Sequence, residues 1–543
     1  MNAMAAPLAD PTTSGAFGLY RATDFRLVTG SACGECAASR QARWYFRDET
    51  IAVPRPGLPV AGYTPAVTAS DDIRAWGTAR PADAPIDFPP LVWAAAPLVA
   101  HDARLAAGGA SLSIDGARVP MRPVAKIPLN RSYYDASSIA WLAGRPLTVR
   151  GTRDADAFVM RTVWPDDFGM GPAAPAPRAL PAAASTGLSL RALMREAPRG
   201  GANAPYTASA LWQRAGAPSD WRGKTVLAFM VNGAQGDDDE AHGGHFAIVT
   251  GRVADDGRIG DWLVNNFYSL DIESEKGIIA APVPLDNYLG DLNAGQNWYR
   301  PTYMVVAVLR DERAAALVQS AVNRMFNQFY RHQLEYYHPT ENCASISVDT
   351  LRALGWPVRQ RGPASRLLAW AALPYVAIKE RSIGKGKLAF DYLYADQTRL
   401  LPAAALEEVF ESLLVLGGGD LPPAAGPLAR MLAEDIEALT FVRIPQFPSS
   451  RKFGDAPAVS TAEYRSRVPS DPALAQIVPV PPRPYPTELR DEDLLPPKRH
   501  PSDLAAIVWA VISIVGIPLL LWRTWRWRRA RLRAQTPVAH DPR

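Results

Sequence analysis

Gly243-Gly244-His245-Phe246-Ala247-Ile248-Val249-Thr250-Gly251 places a histidine at the head of an apolar run rich in β-branched residues. That is the pattern of a buried strand entered through a glycine turn. About a hundred residues downstream, Tyr337-His338-Pro339-Thr340-Glu341-Asn342-Cys343-Ala344 carries a cysteine where a loop gives way to helical spacing. A histidine entering a strand and a cysteine opening a helix are two halves of a thiol nucleophile site. Free backbone N–H groups at a helix start favour a thiolate. The same groups, Cys343 N–H among them, can hold an oxyanion. His245 is the expected base and acid, and His338 is a reserve base close to the thiol in sequence.

A third group must orient the imidazole. The strand Trp262-Leu263-Val264-Asn265-Asn266-Phe267-Tyr268 offers two adjacent asparagines. Neighbours in a strand face opposite sides, so only one of Asn265 and Asn266 can point at His245. A buried amide is costly without partners, and an Asn that accepts from an imidazole N–H meets part of that need.

The order His-then-Cys is the reverse of ordinary papain-like proteases. On Gly244-His245-Phe246-Ala247-Ile248-Val249-Thr250-Gly251 and Asn342-Cys343, the chain resembles the circularly permuted papain-like superfamily. That group includes NlpC-type hydrolases and lecithin:retinol acyltransferase-like enzymes. It is also similar to bacterial periplasmic domains related to the N-terminal part of lacto-N-biosidase chaperone-like proteins. The resemblance covers roughly 224–357, a quarter of the chain. It implies an α+β domain, an antiparallel sheet with packed helices, and acyl chemistry on Cys343. The long separation of the two motifs requires extra strands and a helix from Asp311, and the accessory region falls outside the resemblance.

The 543 residues suffice for two or three cores. Residues 1–20 read as disordered and 21–168 as a mostly β accessory domain. Within it, Ala42–Arg47 reads as a strand, and Asp115-Gly116 as a hairpin turn. A Pro/Ala linker at 169–187 leads to the permuted papain-like domain at 188–444. There Asp311–Tyr336, Cys343–Leu354, Pro402–Leu416 and Pro427–Leu439 read as helices. A Pro-rich spacer follows at 445–501.

Leu504–Trp522 is a run of 19 uncharged residues. As a helix it spans roughly 28 Å, so one transmembrane helix is expected. Six arginines between Arg523 and Arg533 place the tail at 523–543 in the cytoplasm and the bulk of the chain in the periplasm. The N-terminal stretch to Phe17 has neither a basic segment nor an apolar run of the secretory type. A tail-anchored protein with cytoplasmic bulk is therefore the alternative. The net charge of +4 owes +6 to this tail, so nothing points to nucleic acid.

The three cysteines are too few for a disulfide scaffold. Cys33-Gly34-Glu35-Cys36 reads as a tight turn or a disulfide. His242 and His245, after Asp237-Asp238-Asp239-Glu240, could hold a divalent ion, which makes a metal-dependent hydrolase a further alternative. Neither a cofactor nor a resident metal is expected. The expected function is a membrane-anchored cysteine hydrolase or acyltransferase. It would act on an amide, ester or thioester, with cell-envelope peptide or acyl groups as substrates. The alternative from another class is a non-catalytic, membrane-tethered binding or assembly module.

Overall fold

The computed structural model describes residues 15–34, 36–81, 83–125, 134–170, 190–195, 205–234, 243–270, 279–449, 454, 456–469, 471, 486–491 and 522–527. They form an α+β fold. The first five strands are β1 (Ala16–Phe17), β2 (Tyr20–Arg21), β3 (Phe25–Thr29), β4 (Thr50–Pro54) and β5 (Val92–Trp93). They make a two-stranded sheet, β1-β2, and a three-stranded sheet, β3-β4-β5. Next come β6 (Leu98–Leu105), β7 (Ser111–Ile114), β8 (Ala117–Pro123), β9 (Leu147–Asp154) and β10 (Ala157–Pro165). These close into a barrel in the order β10-β8-β7-β6-β9. Asp115 and Gly116 both have positive φ and make the two-residue turn between β7 and β8, as the sequence predicts.

The remaining strands are β11 (Thr207–Gln213), β12 (Thr225–Asn232), β13 (His245–Arg252), β14 (Leu263–Asn266), β15 (Ala281–Pro284), β16 (Thr302–Leu309) and β17 (Ile436–Ile444). They build one sheet in the order β11-β17-β16-β12-β13-β14-β15. Every neighbouring pair is antiparallel. Every residue of β12 and β16 is buried, which is why both read as continuous apolar runs rather than alternating ones. The helices Arg313–Phe329, Cys343–Ala353 and Pro402–Gly417 pack on this sheet.

The β-rich N-terminal part and the large sheet share one core. Phe46, Trp93, Val149 and Phe158 belong to the same apolar cluster as Val226, Val305, Phe326 and Leu406. A buried ion pair adds to the seam, with Arg150 Nε of β9 donating to Asp286 Oδ2 at 2.6 Å. One compact unit thus takes in residues 1–361 and 397–497. A second unit comprises 362–396 and 498–543. Its described helices are Arg366–Lys379 and Ile383–Tyr394, packed against each other.

The expected fold class needs one correction. No helix among the described residues is long and apolar enough to cross a membrane. At the C-terminal end only 522–527 are described, a short exposed helical stretch that includes Arg523 and Arg526. The rest of Leu504–Trp522 lies outside the described residues, as does 171–187 of the linker.

Five local expectations also change. Residues 15–20, expected within a disordered stretch, are ordered, with Phe17 and Tyr20 buried. The helix expected to reach Tyr336 ends at Phe329. Ala42–Arg47 is not a strand: Arg40–Tyr45 is helical, because the Ser39 side chain caps it by accepting from Ala42 N–H. The helix from Pro427 stops at Asp435, and Ile436–Ile444 becomes β17, held between β11 and β16. The stretch after Pro445 does not leave the fold at once. Phe447 is fully buried against Trp141, Trp164 and Trp298, and Thr461–Arg467 is helical.

Candidate functional site

Cys343 is the first residue of its helix. Asn342 is the N-cap, and its Oδ1 accepts from Ala344 N–H at 3.0 Å and Ser345 N–H at 3.1 Å. Its Nδ2 donates to the carbonyls of His338 at 3.1 Å and Leu400 at 3.0 Å. The asparagine of the Asn-Cys pair therefore holds the helix end and leaves the thiol in the first turn. Sγ accepts from Phe246 N–H at 3.5 Å, which puts it one residue from His245. The Tyr336 hydroxyl is in hydrogen-bond contact with both the sulfur and Cys343 N–H.

His245 opens β13. Gly244 before it has φ +80°, and a Cβ there would lie 2.6 Å from Asn232 O. Only glycine delivers the chain into the strand at this point. His245 Nε2 lies 2.6 Å from Asn266 Oδ1. Asn266 Nδ2 donates to Ile279 O at 2.7 Å, and this fixes the amide orientation. Nε2 therefore carries the proton, and the lone pair of the neutral ring is on Nδ1.

The choice between the two asparagines follows from the pleat. Asn265 sits opposite Ile248 in the register and faces the Arg313–Phe329 helix. There it exchanges two amide bonds with Gln319, at 3.0 and 2.9 Å. Gln319 also binds Thr250 and Asn323. Asn265 thus ties helix to sheet, and Asn266 meets the histidine. His338 is exposed and contributes its carbonyl to Asn342.

Burial dominates the electrostatics. It pushes His245 down to about 3, helped by the Arg300 cation and opposed by the Asn266 bond. Burial pushes the Cys343 thiol up, against Phe246 N–H, the Tyr336 hydroxyl, Ala344 N–H and Arg300. Thiol and imidazole are both neutral at rest. Arg300 is itself buried, with Nε and Nη2 bonded to Gln296 Oε1 at 3.1 and 2.6 Å.

The site is enclosed: Cys343 is 3% and His245 7% exposed. Tyr268 and Tyr336 are only half-buried, and their rings lie 5.7 Å apart beside the site. On its other side His245 faces Tyr288, ring centroids 6.4 Å apart, whose hydroxyl donates to Asn232 Oδ1 at 2.6 Å. Two cavities among the described residues lie elsewhere. One is lined by Phe17, Phe25, His101 and Arg150, the other by Arg80, Ile86, Asp311 and Met431.

Sequence reasoning missed Tyr336 and Arg300. Arg300 sits in a loop whose spacing carries no motif, and Tyr336 lies past the end of the helix that the sequence pattern extends to it; only the folded chain brings them to the thiol. Cys33 and Cys36 form a disulfide. Among the described residues no group of three or more His, Cys, Asp or Glu could hold a metal ion. His242 and Asp237–Glu240 lie outside the described residues. No family model, no curated protein and no solved structure matches this chain.

Proposed function

We propose a cysteine-dependent hydrolase or acyltransferase that works on an amide, ester or thioester through an S-acyl intermediate on Cys343. One observation carries this reading. Asn266 holds the Nε2 edge of His245 at 2.6 Å, while the sulfur bonds to the very next backbone N–H, that of Phe246. The free lone pair on Nδ1 then serves as base. His245 takes the thiol proton as sulfur attacks the carbonyl carbon, and Cys343 N–H supports the oxyanion in place of the Tyr336 hydroxyl. The tetrahedral intermediate expels the amine, alcohol or thiol, which receives the proton from His245. Water or an acceptor then attacks the S-acyl carbon, with His245 as base again. Because both groups rest neutral, the proton moves during attack rather than before it.

The resemblance to permuted papain-like enzymes supports the same roles. The Cys33–Cys36 disulfide supports a setting outside the cytoplasm, where envelope peptides and lipid-linked acyl groups are at hand. The enclosure of the thiol favours a second reading, a binding or assembly module that keeps the arrangement without turnover.

A panel of activated amide, ester and thioester substrates separates the two. Under the proposal Cys343→Ala abolishes turnover, and Asn266→Ala lowers it about a hundredfold. Turnover unaffected by Cys343→Ala defeats the nucleophile. A wild type inert to the whole panel and to acyl electrophiles establishes the second reading.

A further inference from the structure

The Arg366–Lys379 and Ile383–Tyr394 hairpin leaves more large apolar side chains in the open than a water-soluble helix pair does. Its buried positions are small or few: Ala369, Leu373 and Ala377 on one helix, Gly386 and Leu393 on the other. The helices cross closely, since a Cβ on Gly386 would lie 2.5 Å from Leu373 O and 2.8 Å from Ala377 Cβ. Trp370 and Phe390 meet between the helices, rings 4.8 Å apart, but a row of large apolar side chains points outward. Leu367 is 85%, Ile378 72% and Tyr375 65% exposed, and with Ala371 they recur along one helix face. Water drives large apolar groups between helices. In lipid that drive is absent, so small residues meet and large ones face outward. An exposed apolar stripe of this kind marks an interaction surface.

The charges say which surface. Lys379 and Arg381 stand exposed at the hairpin tip beside Ile378, and Arg366 stands at the opposite end of the stripe. None of the three has a carboxylate partner among the described residues. Glu380 and Asp391 are already paired, with Lys385 and Lys387. An apolar face bordered by unpaired cations fits a bilayer with anionic headgroups. The helices have 14 and 12 residues, roughly 21 and 18 Å, too short to cross a hydrocarbon core.

We infer that this hairpin lies in the interface of an anionic lipid bilayer, with Leu367, Ala371, Tyr375 and Ile378 in the acyl region and Lys379 and Arg381 among the headgroups. This inference is independent of the thiol chemistry.

The test places the fluorophore nitrobenzoxadiazole on Ile378→Cys of the full chain, with Cys343→Ser confining the label to one position. Vesicles of phosphatidylcholine with phosphatidylglycerol should shift its emission to the blue, and brominated acyl chains should quench it. Pure phosphatidylcholine should give a smaller shift, and Lys379→Glu with Arg381→Glu should reduce the shift in the anionic vesicles. An aqueous spectrum on vesicle-bound protein overturns the inference. So does emission that is already blue without lipid and is not quenched by brominated chains, which would mean that a second copy or the 504–521 segment covers the face.

Discussion

At the scale of single residues, the site depends on which groups offset burial. Arg300 lowers the basicity of His245 and favours the Cys343 thiolate over the thiol. Removing that cation raises both pKa values. With the imidazole held down to about 3, the base stays competent well into acid, so the acid limb of kcat/KM should lie below pH 5. Arg300→Gln should move that limb upward, whereas a limb already between pH 6 and 7 in the wild type contradicts a buried neutral imidazole. Tyr336→Phe removes a hydrogen bond that favours the thiolate. The pH midpoint of Cys343 alkylation by iodoacetamide should therefore rise, and an unchanged midpoint would detach Tyr336 from the sulfur. Cys343, His245 and the candidate asparagines were legible in the sequence, because residue type and local pattern suffice for them. Tyr336 and Arg300 were not, since their roles arise only from long-range packing.

At the scale of elements, the loop–helix junction depends on Asn342 more than on the thiol. Its four hydrogen bonds close the helix start and satisfy the Leu400 carbonyl. Asn342→Ala should cost about 2–4 kcal/mol, the loss of a cap plus a buried carbonyl left unpaired. Denaturant titration would read this, and a cost within experimental error would show that the helix start is held by other contacts. The adjacent asparagines illustrate what an element pattern can and cannot resolve. Alternation showed that only one could face His245, and the register against β13 selected Asn266. The helical pattern from Pro427 runs past Asp435 in the sequence, because nothing local marks the change. Ile436–Ile444 is a strand because β11 and β16 flank it, a tertiary effect that overrides local propensity.

For the whole molecule, composition suggested a boundary at Ile444 that packing ignores. Prolines after Pro445 read as a spacer, yet Phe447 fills a pocket among Trp141, Trp164 and Trp298. Phe447→Ala should cost about 3–5 kcal/mol, as a core truncation does. A spacer residue in the same place would cost nothing measurable in a denaturant titration. The closed barrel was likewise illegible as a barrel, since closure is a property of strand order. Shared burial joins it to the large sheet, and even the smaller cluster of Phe17, Tyr20, Phe25, Phe88 and Val92 takes in Leu263 of β14. The site sits within this continuous core, and its enclosure follows from that position.

The central claim is a nucleophilic Cys343 activated by His245. Intact-mass analysis after brief exposure to an activated acyl thioester tests it most directly. Wild type should gain one acyl mass that maps to Cys343, and His245→Ala should acquire it far more slowly under the same conditions. An acyl mass that persists in Cys343→Ala, or one that forms equally fast without His245, would contradict the account.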